Sequence, residues 1–334
     1  MKKVQAAVVG IGGIGIWHGQ MMRDTGKINV RALCDANEKM QARGKENFPD
    51  AVFYTSFEDM LAKEKPELVC VVTPHNLHAP MAITALNAGA NVIVEKPMAT
   101  KYSDCVAMIK AAKKNRRFLT AFHNRRLDGW YLTAKSVIES GLLGNLVELN
   151  STINFRPGPE TWRGWKEKSG GILFDWGSHL TDYVLHLADS EVVSVSGFFY
   201  RSPKANPALN EDHGSVSIRF KSGAIGNVTI YGTGRAEPLR YNLVGDRGTL
   251  TDEWHWDEKQ KVKVFTRMPG GEHATMEVGY QRTVPQKYYD NIAAHMTEGV
   301  PLMVSAESAA KIINIFCTAE RSHAKGGVPL PLEK

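Results

Sequence analysis

What this chain of 334 residues lacks narrows its class first. Its four cysteines, Cys34, Cys70, Cys105 and Cys317, lie far apart with no CxxC pair. That excludes a zinc ribbon or a disulfide framework and fits a reducing compartment. No apolar run approaches the roughly 18 residues of a membrane-spanning helix. No block of like charge is present either. Forty-one Lys and Arg against 35 Asp and Glu leave +6 spread along the chain, with no basic tail to hold nucleic acid. The opening stretch, MKKVQAAVVGIGGIGIW, places two lysines before apolar residues as a secretory leader does, but it lacks a small-residue cleavage site. The expected location is the cytoplasm. What is present is 43% hydrophobic, 9% aromatic and 23% charged residues, enough for sizeable cores, and the length predicts two domains.

Up to about residue 125, short apolar runs alternate with helical patterns. The runs are Val4–Val9, Val30–Cys34, Leu68–Val72, Val92–Val94 and Phe118–Phe122, apolar on consecutive positions as in strands covered on both faces. Helices are expected over Ile14–Thr25, Asn37–Glu46, Ser56–Lys63, His78–Ala88 and Ser103–Asn115. Ser56 followed by Asp59 marks an N-terminal cap, and Gly89 a helix end. Repeated βα units predict a parallel sheet. The texture then changes. A helix around Tyr131–Ser140 precedes a strand at Leu146–Phe155 and a helix at Leu173–Leu187. Alternating runs follow at Val192–Tyr200, Ser215–Phe220, Ile225–Tyr231, Arg240–Val244 and Lys261–Phe265, separated by turn signals. A last helix, Ala306–His323, carries Ala309, Ile312, Ile313 and Phe316 on one side. The predicted fold is an α/β domain with a parallel sheet over residues 1–125, then an α+β domain with an open, mostly antiparallel sheet over 126–334. The last helix is free to pack back on the first.

Gly10-Ile-Gly-Gly-Ile-Gly15 follows the first strand and opens a helix, and Asp35 stands twenty positions beyond Gly15 at the end of the second strand. Gly10 permits a tight turn, Gly12 lets the backbone approach a pyrophosphate, and Gly15 allows close helix–strand packing. The N–H groups around Gly13 and Ile14 and the helix dipole hold phosphates. A carboxylate at Asp35 accepts from the ribose hydroxyls and repels a 2′-phosphate. The next residue is Ala36, so NAD is favoured over NADP. The bland alternative is a glycine-rich turn without a ligand.

Three further segments carry chemistry. The loop Val72-Thr-Pro-His-Asn-Leu-His78 leaves the sheet at its carboxyl edge, so Thr73, Pro74, His75 and His78 are expected to line the nicotinamide half of the cofactor. His75 and His78 lack the Cys or acidic partner a metal pair needs. In Val94-Glu-Lys-Pro97, the proline holds Lys96 extended, so its ammonium projects toward the cofactor, with Glu95 beside it. The alternative for Lys96 is a solvated surface lysine. Asp175 and His179 are four apart on a helix and share a face, continued by Asp182 and His186. That stripe is either an ordinary polar face or a site. His179 and His186 lie about 10 Å apart along a helix, too far for one metal ion. Arg126, Asn154, Arg156, Trp162 and Arg163 are candidate substrate contacts, because tryptophan faces stack on sugar C–H surfaces and arginines bind anionic substituents. The alternative is that Trp162 and Trp165 anchor their loop. Trp254 and Trp256 are expected on a sheet face or subunit interface.

Together, GxGxxG with Asp35, Glu95-Lys96-Pro97 and Asp175-xxx-His179 resemble the glucose–fructose oxidoreductase / inositol dehydrogenase (Gfo/Idh/MocA) family across essentially the whole chain. Phe122-His-Asn-Arg-Arg-Leu-Asp128 and Asp175-Trp-Gly-Ser-His-Leu-Thr-Asp182 are similar to the branch containing scyllo-inositol dehydrogenases. That branch often prefers NADP, from which Asp35 departs. The resemblance implies a Rossmann domain, an open sheet that makes a homodimer or homotetramer, a cis bond before Pro97 and a sugar or cyclitol substrate without metal. It also implies that Lys96, Asp175 and His179 are catalytic.

From the residue types, His179 takes the hydroxyl proton near neutrality. Lys96 stabilises the developing alkoxide, Asp175 orients substrate or imidazole, and the hydride goes to the cofactor. Two alternatives remain: bound NAD that cycles to enable elimination or glycoside cleavage, and a regulator that senses the dinucleotide without chemistry.

Overall fold

The computed structural model describes residues 3–255, 259–268 and 270–334. The chain divides into two compact units, Met1–Phe122 with Pro285–Ala310 and His123–Val284 with Lys311–Lys334. The changeover falls at 122/123 instead of 125/126. Residues 285–310, expected in the second domain, belong to the first unit.

In the first unit, β1 (Val4–Val9), β2 (Ile28–Cys34), β3 (Val52–Tyr54), β4 (Leu68–Val71), β5 (Asn91–Val94) and β6 (Leu119–Ala121) form a parallel sheet in the order β3-β2-β1-β4-β5-β6. Between them run α1 (Gly13–Asp24), α2 (Met40–Asn47), α3 (Phe57–Glu64), α4 (His75–Asn87) and α5 (Tyr102–Asn115). Apart from Gln5 and Asn91, the residues of β1, β4 and β5 are apolar and buried, because helices cover both faces. Ser56 caps α3 by accepting the Asp59 N–H at 3.1 Å, and Gly89, at φ +92°, follows α4 in the left-handed region. The strand order reverses between β1 and β4, which opens a crevice at the carboxyl ends of those two strands.

The second unit contains α6 (Gly129–Glu139), β7 (Leu146–Asn154), α7 (Lys166–Ser169), α8 (Ser178–Ala188), β8 (Val192–Tyr200), β9 (His213–Phe220) and β10 (Ile225–Tyr231). It continues with β11 (Leu239–Gly245), β12 (Gly248–Glu253), β13 (Lys261–Arg267) and β14 (His273–Gly279). The eight strands run β14-β13-β12-β11-β7-β10-β9-β8, antiparallel except for the parallel pair β7 and β10. The inner face is apolar, through Leu149, Val228, Leu243, Leu250 and Val264, and α8 packs on it over β7 and β10. The outer face carries a cross-strand polar row: Ser217 donates to Asn227 at 2.7 Å, and Asn227 donates to Asn150 at 2.9 Å and Glu148 at 2.8 Å.

Two more helices complete the chain. Helix α9 (Gln286–Glu298) belongs to the first unit and packs against α1, burying Tyr288, Tyr289, Ile292 and Ala293. The sequence reading assigned it no element. Helix α10 (Ala306–Ala324) buries Ala309, Ile312, Ile313 and Phe316, the side that the sequence pattern marks. All four cysteines are free thiols. No helix among the described residues is long and apolar enough to cross a membrane.

Candidate active site

The glycine loop lies between β1 and α1, beside the crevice. Gly10 has φ +92°, and a Cβ there would lie 2.4 Å from the Val72 carbonyl oxygen, so glycine is required twice over. A Cβ on Gly15 would fall 1.8 Å from the Gly10 carbonyl oxygen, so this helix can approach its strand only without a side chain. At Gly12 a Cβ would meet nothing within 4 Å. That open ground adjoins the first turn of α1, which has neither a side-chain cap nor an acidic residue to occupy its N–H groups. The Asp35 carboxylate accepts from the Ile11 N–H at 2.8 Å and the Asn37 N–H at 2.9 Å, so it also shapes the loop it was expected to serve. The Thr73 hydroxyl, across the crevice, is buried with no hydrogen-bond partner among the described residues. An uncapped helix start, vacant space over Gly12 and an orphaned hydroxyl fit a dinucleotide phosphate and its neighbouring ribose.

Beyond β5, the bond between Lys96 and Pro97 is cis. Glu95 is turned inward: Oε2 accepts the Lys96 backbone N–H at 2.7 Å, and Oε1 lies 3.1 Å from Nε2 of His18. His18 is fully buried on the core-facing stripe of α1, with Nδ1 3.4 Å from Cys70 Sγ and hydrogen-bonded to the Tyr289 hydroxyl. Burial opposes a charge on His18, but its contacts with Cys70 and Glu95 outweigh that and raise it to about 10. Burial likewise pushes Glu95 up, yet the hydrogen bond and charge of His18, with the charge of Lys96, hold it below the usual carboxylate range. The two form a buried ion pair.

In the second unit, Leu173–Gly177 make a π turn that runs directly into α8, a distortion frequent at functional sites. Asp175 sits in that turn and His179 at the start of α8, 8% and 6% exposed. Asp175 Oδ2 accepts from Arg163 Nε at 3.2 Å, and the Arg163 guanidinium stands 4.5 Å over the Trp162 ring. The Trp176 ring meets His179 edge-on at 5.6 Å, while Arg125 covers Trp176 at 4.7 Å and Trp254 backs it at 5.5 Å.

Comparison with known proteins gives this geometry a family. The Gfo/Idh/MocA oxidoreductase family, described as having an NAD-binding Rossmann fold, matches residues 4–123, and its C-terminal α/β domain matches residues 135–332. The chain belongs to this family. It is 27% identical to the scyllo-inositol 2-dehydrogenase (NADP(+)) IolW of Bacillus subtilis (strain 168), over 96% of this chain and 95% of that one. It is 26% identical to the myo-inositol 2-dehydrogenase of Thermotoga maritima, over 96% of each chain. The crystal structure of an NAD-binding protein from Listeria innocua shares the fold, with a TM-score of 0.86 at 24% identity over 99% of this chain and 97% of that one.

Within this Gfo/Idh/MocA chain, several expected contacts are committed elsewhere. Arg126 spends its guanidinium fork on Asp182, at 2.9 and 2.7 Å, and so braces α8. Burial would raise Asp182, but the charges of Arg126 and His123 with the Arg126 hydrogen bond lower it to about 2. Arg156 pairs with Asp212 at 2.6 Å, and Asn154, at the end of β7, donates to the Ala236 carbonyl at 2.7 Å. His78 is fully enclosed, its ring nitrogens 2.8 Å from the carbonyls of Pro97 and Thr73, so it clamps the loop and does not line the cofactor. Helix α4 begins at His75, not at His78. Glu95, expected at the cofactor, is a support for Lys96. Trp165 donates to the Pro159 carbonyl at 2.9 Å and anchors its loop. Trp254, expected on a sheet face or interface, meets Trp176 edge-on; Trp256 lies outside the described residues. Sequence reading missed His18, Tyr289 and Trp176. The one legible signal was a histidine on the stripe Gly15, His18, Gly19, Met22, which is otherwise free of polar side chains.

Proposed function

We propose that this oxidoreductase interconverts a ring CH–OH and the corresponding ketone of a cyclitol, sugar or sugar derivative, using NAD. The observation that carries the substrate class is the cluster of Asp175, Arg163 and Trp162 at the head of the helix bearing His179. A carboxylate and a guanidinium hydrogen-bond vicinal hydroxyls, an indole face covers ring C–H bonds, and an imidazole serves the reacting oxygen. The names of IolW and of the Thermotoga relative, both inositol dehydrogenases, support a ring polyol.

When bound, the nicotinamide accepts or returns the hydride. His179 takes the hydroxyl proton, as an imidazole is suited to do. Lys96 places its ammonium on the same oxygen and stabilises the alkoxide as it forms. Asp175 orients the neighbouring hydroxyl through its pair with Arg163. Gly10, Gly12, Gly13, Ile14, Gly15, Thr73, Pro74 and His75 hold the dinucleotide.

The half-buried carboxylate of Asp35 supports NAD, since it disfavours a 2′-phosphate. One observation favours NADP: the guanidinium of Arg43 would lie 3.5 Å from a Cβ on Gly13, and IolW carries NADP(+) in its name. On the outer face of the eight-stranded sheet, Phe198, Tyr200, Ile225 and Tyr231 are exposed large side chains. They support a homodimer or homotetramer through that face. The protein is proposed to work in the cytoplasm.

The test is a panel of cyclitols, aldoses and glycosides, scored by reduced-nicotinamide absorbance with NAD and NADP in parallel. Turnover of a ring polyol supports the reading. Product formed without net reduced dinucleotide favours the cycling alternative, and dinucleotide binding with no turnover on any ring substrate favours a sensor.

A further inference from the structure

We propose that His18 is a positioning residue for Lys96, fixing the lysine turn to the helix that opens the dinucleotide site. This rests on the catalytic role given to Lys96 above.

The geometry is a continuous buried chain. The Tyr289 hydroxyl on α9 is hydrogen-bonded to His18 Nδ1. Nε2 of the same ring lies 3.1 Å from Glu95 Oε1, and Glu95 Oε2 accepts the Lys96 N–H at 2.7 Å. Three elements are thereby linked through one imidazole: α9, α1 and the turn after β5. The ring has no room to yield, with Phe122 at 4.4 Å and Tyr289 at 5.9 Å between ring centroids and Cys70 against Nδ1. The groups facing it that titrate are Glu95, Cys70 and Tyr289, with the charge of Lys96 one residue beyond Glu95.

His18 lies three residues after Gly15, on the helix whose first turn adjoins the open space over Gly12. Glu95 holds the peptide whose α-carbon carries the catalytic amine. A shift of the Glu95 carboxylate therefore moves the amine relative to the dinucleotide helix. Catalysis by a placed charge is steep in distance, since a displacement of about 1 Å can cost on the order of 100-fold in rate.

A double-mutant cycle on the full chain tests this, with the fastest ring substrate of the panel and its preferred dinucleotide as probes. His18→Ala is expected to lower kcat about 10- to 100-fold while the dinucleotide Kd stays within about threefold. His18→Gln, whose amide can still donate to Glu95, recovers part of the loss. Combined with Lys96→Ala, His18→Ala adds little further loss, because it acts through that amine. A wild-type kcat in His18→Ala, or losses that simply multiply with those of Lys96→Ala, overturns the proposal and leaves the role of Lys96 standing. Full turnover in Lys96→Ala alone overturns both. If His18→Ala does not fold, Glu95→Gln and Tyr289→Phe carry the same cycle, with the same outcomes deciding.

Discussion

The Trp176 ring stands edge-on to the His179 imidazole, centroids 5.6 Å apart at an interplanar angle of 68°. The edge-on contacts continue behind it: Trp254 meets Trp176 at 5.5 Å, and the Arg240 guanidinium lies 4.8 Å from the Trp254 ring and 4.2 Å from the Trp130 ring. Arg240 is fully buried and paired with Asp252 at 3.1 Å. The proposed proton acceptor therefore rests on an aromatic wall whose far end is a fixed buried charge. Trp254→Ala is expected to lower both kcat and the melting temperature, at a cost of about 1–3 kcal/mol. Trp254→Phe is expected to restore most of each. Parallel kinetics and thermal melts check this; an Ala variant with unchanged kcat would separate the wall from the chemistry.

The glycine loop yields two opposite expectations from the same substitution. Gly12→Ala points its methyl into open space, so the fold is kept to within about 1 kcal/mol, but dinucleotide binding weakens at least tenfold. Gly15→Ala drives its methyl into the Gly10 carbonyl and destabilises the first unit itself. Titration calorimetry and denaturant melts on the two variants distinguish a ligand contact from a packing contact.

Arg126 supports α8 through its two hydrogen bonds to Asp182. Arg126→Met leaves the buried Asp182 without its bidentate partner and is expected to cost about 3–5 kcal/mol. Asp182 is lowered from 3.8 to about 2, so its stabilising share is present above the ordinary carboxyl value and is lost as pH falls through the folded one. Acid denaturation of the wild type should steepen over that interval, and Asp182→Asn should remove the steepening. A rise in KM for the ring substrate with no loss of stability in Arg126→Met contradicts this assignment.

His18 works in the other direction. Its folded value lies above the ordinary 6.5, at about 10, so its contribution is complete below 6.5 and is lost as pH rises through the folded value. Chemical denaturation midpoints followed from neutrality upward should fall more steeply in the wild type than in His18→Gln.

Much of this was legible because short-range rules decide it. The strands β1, β4 and β5 are consecutive apolar runs, Ser56 announces the α3 cap, and the spacing from Gly10 to Asp35 marks the crevice. The strand β3 has only three residues, too few for a period, and α9 was passed over although its buried positions repeat helically. The site residues divide the same way. Motifs named Lys96, Asp175 and His179, and the structure pairs Asp175 with Arg163, which the sequence reading placed apart from it among the substrate contacts. What spacing does not encode is how an arginine or histidine distributes its donors. Arg126 and Arg156 found carboxylates, His78 found the carbonyls of Thr73 and Pro97, and Glu95 found His18, and all but the Thr73 partner lie between 19 and 77 residues away.

In the proposed reaction the Lys96 amine stabilises the reacting oxygen and is not needed to hold the dinucleotide. Measuring dinucleotide Kd and kcat together on Lys96→Ala tests it most directly. The expected result is a Kd within about threefold of wild type and a kcat lowered at least 100- to 1,000-fold. A kcat that survives, or a loss explained wholly by weakened dinucleotide binding, would contradict it.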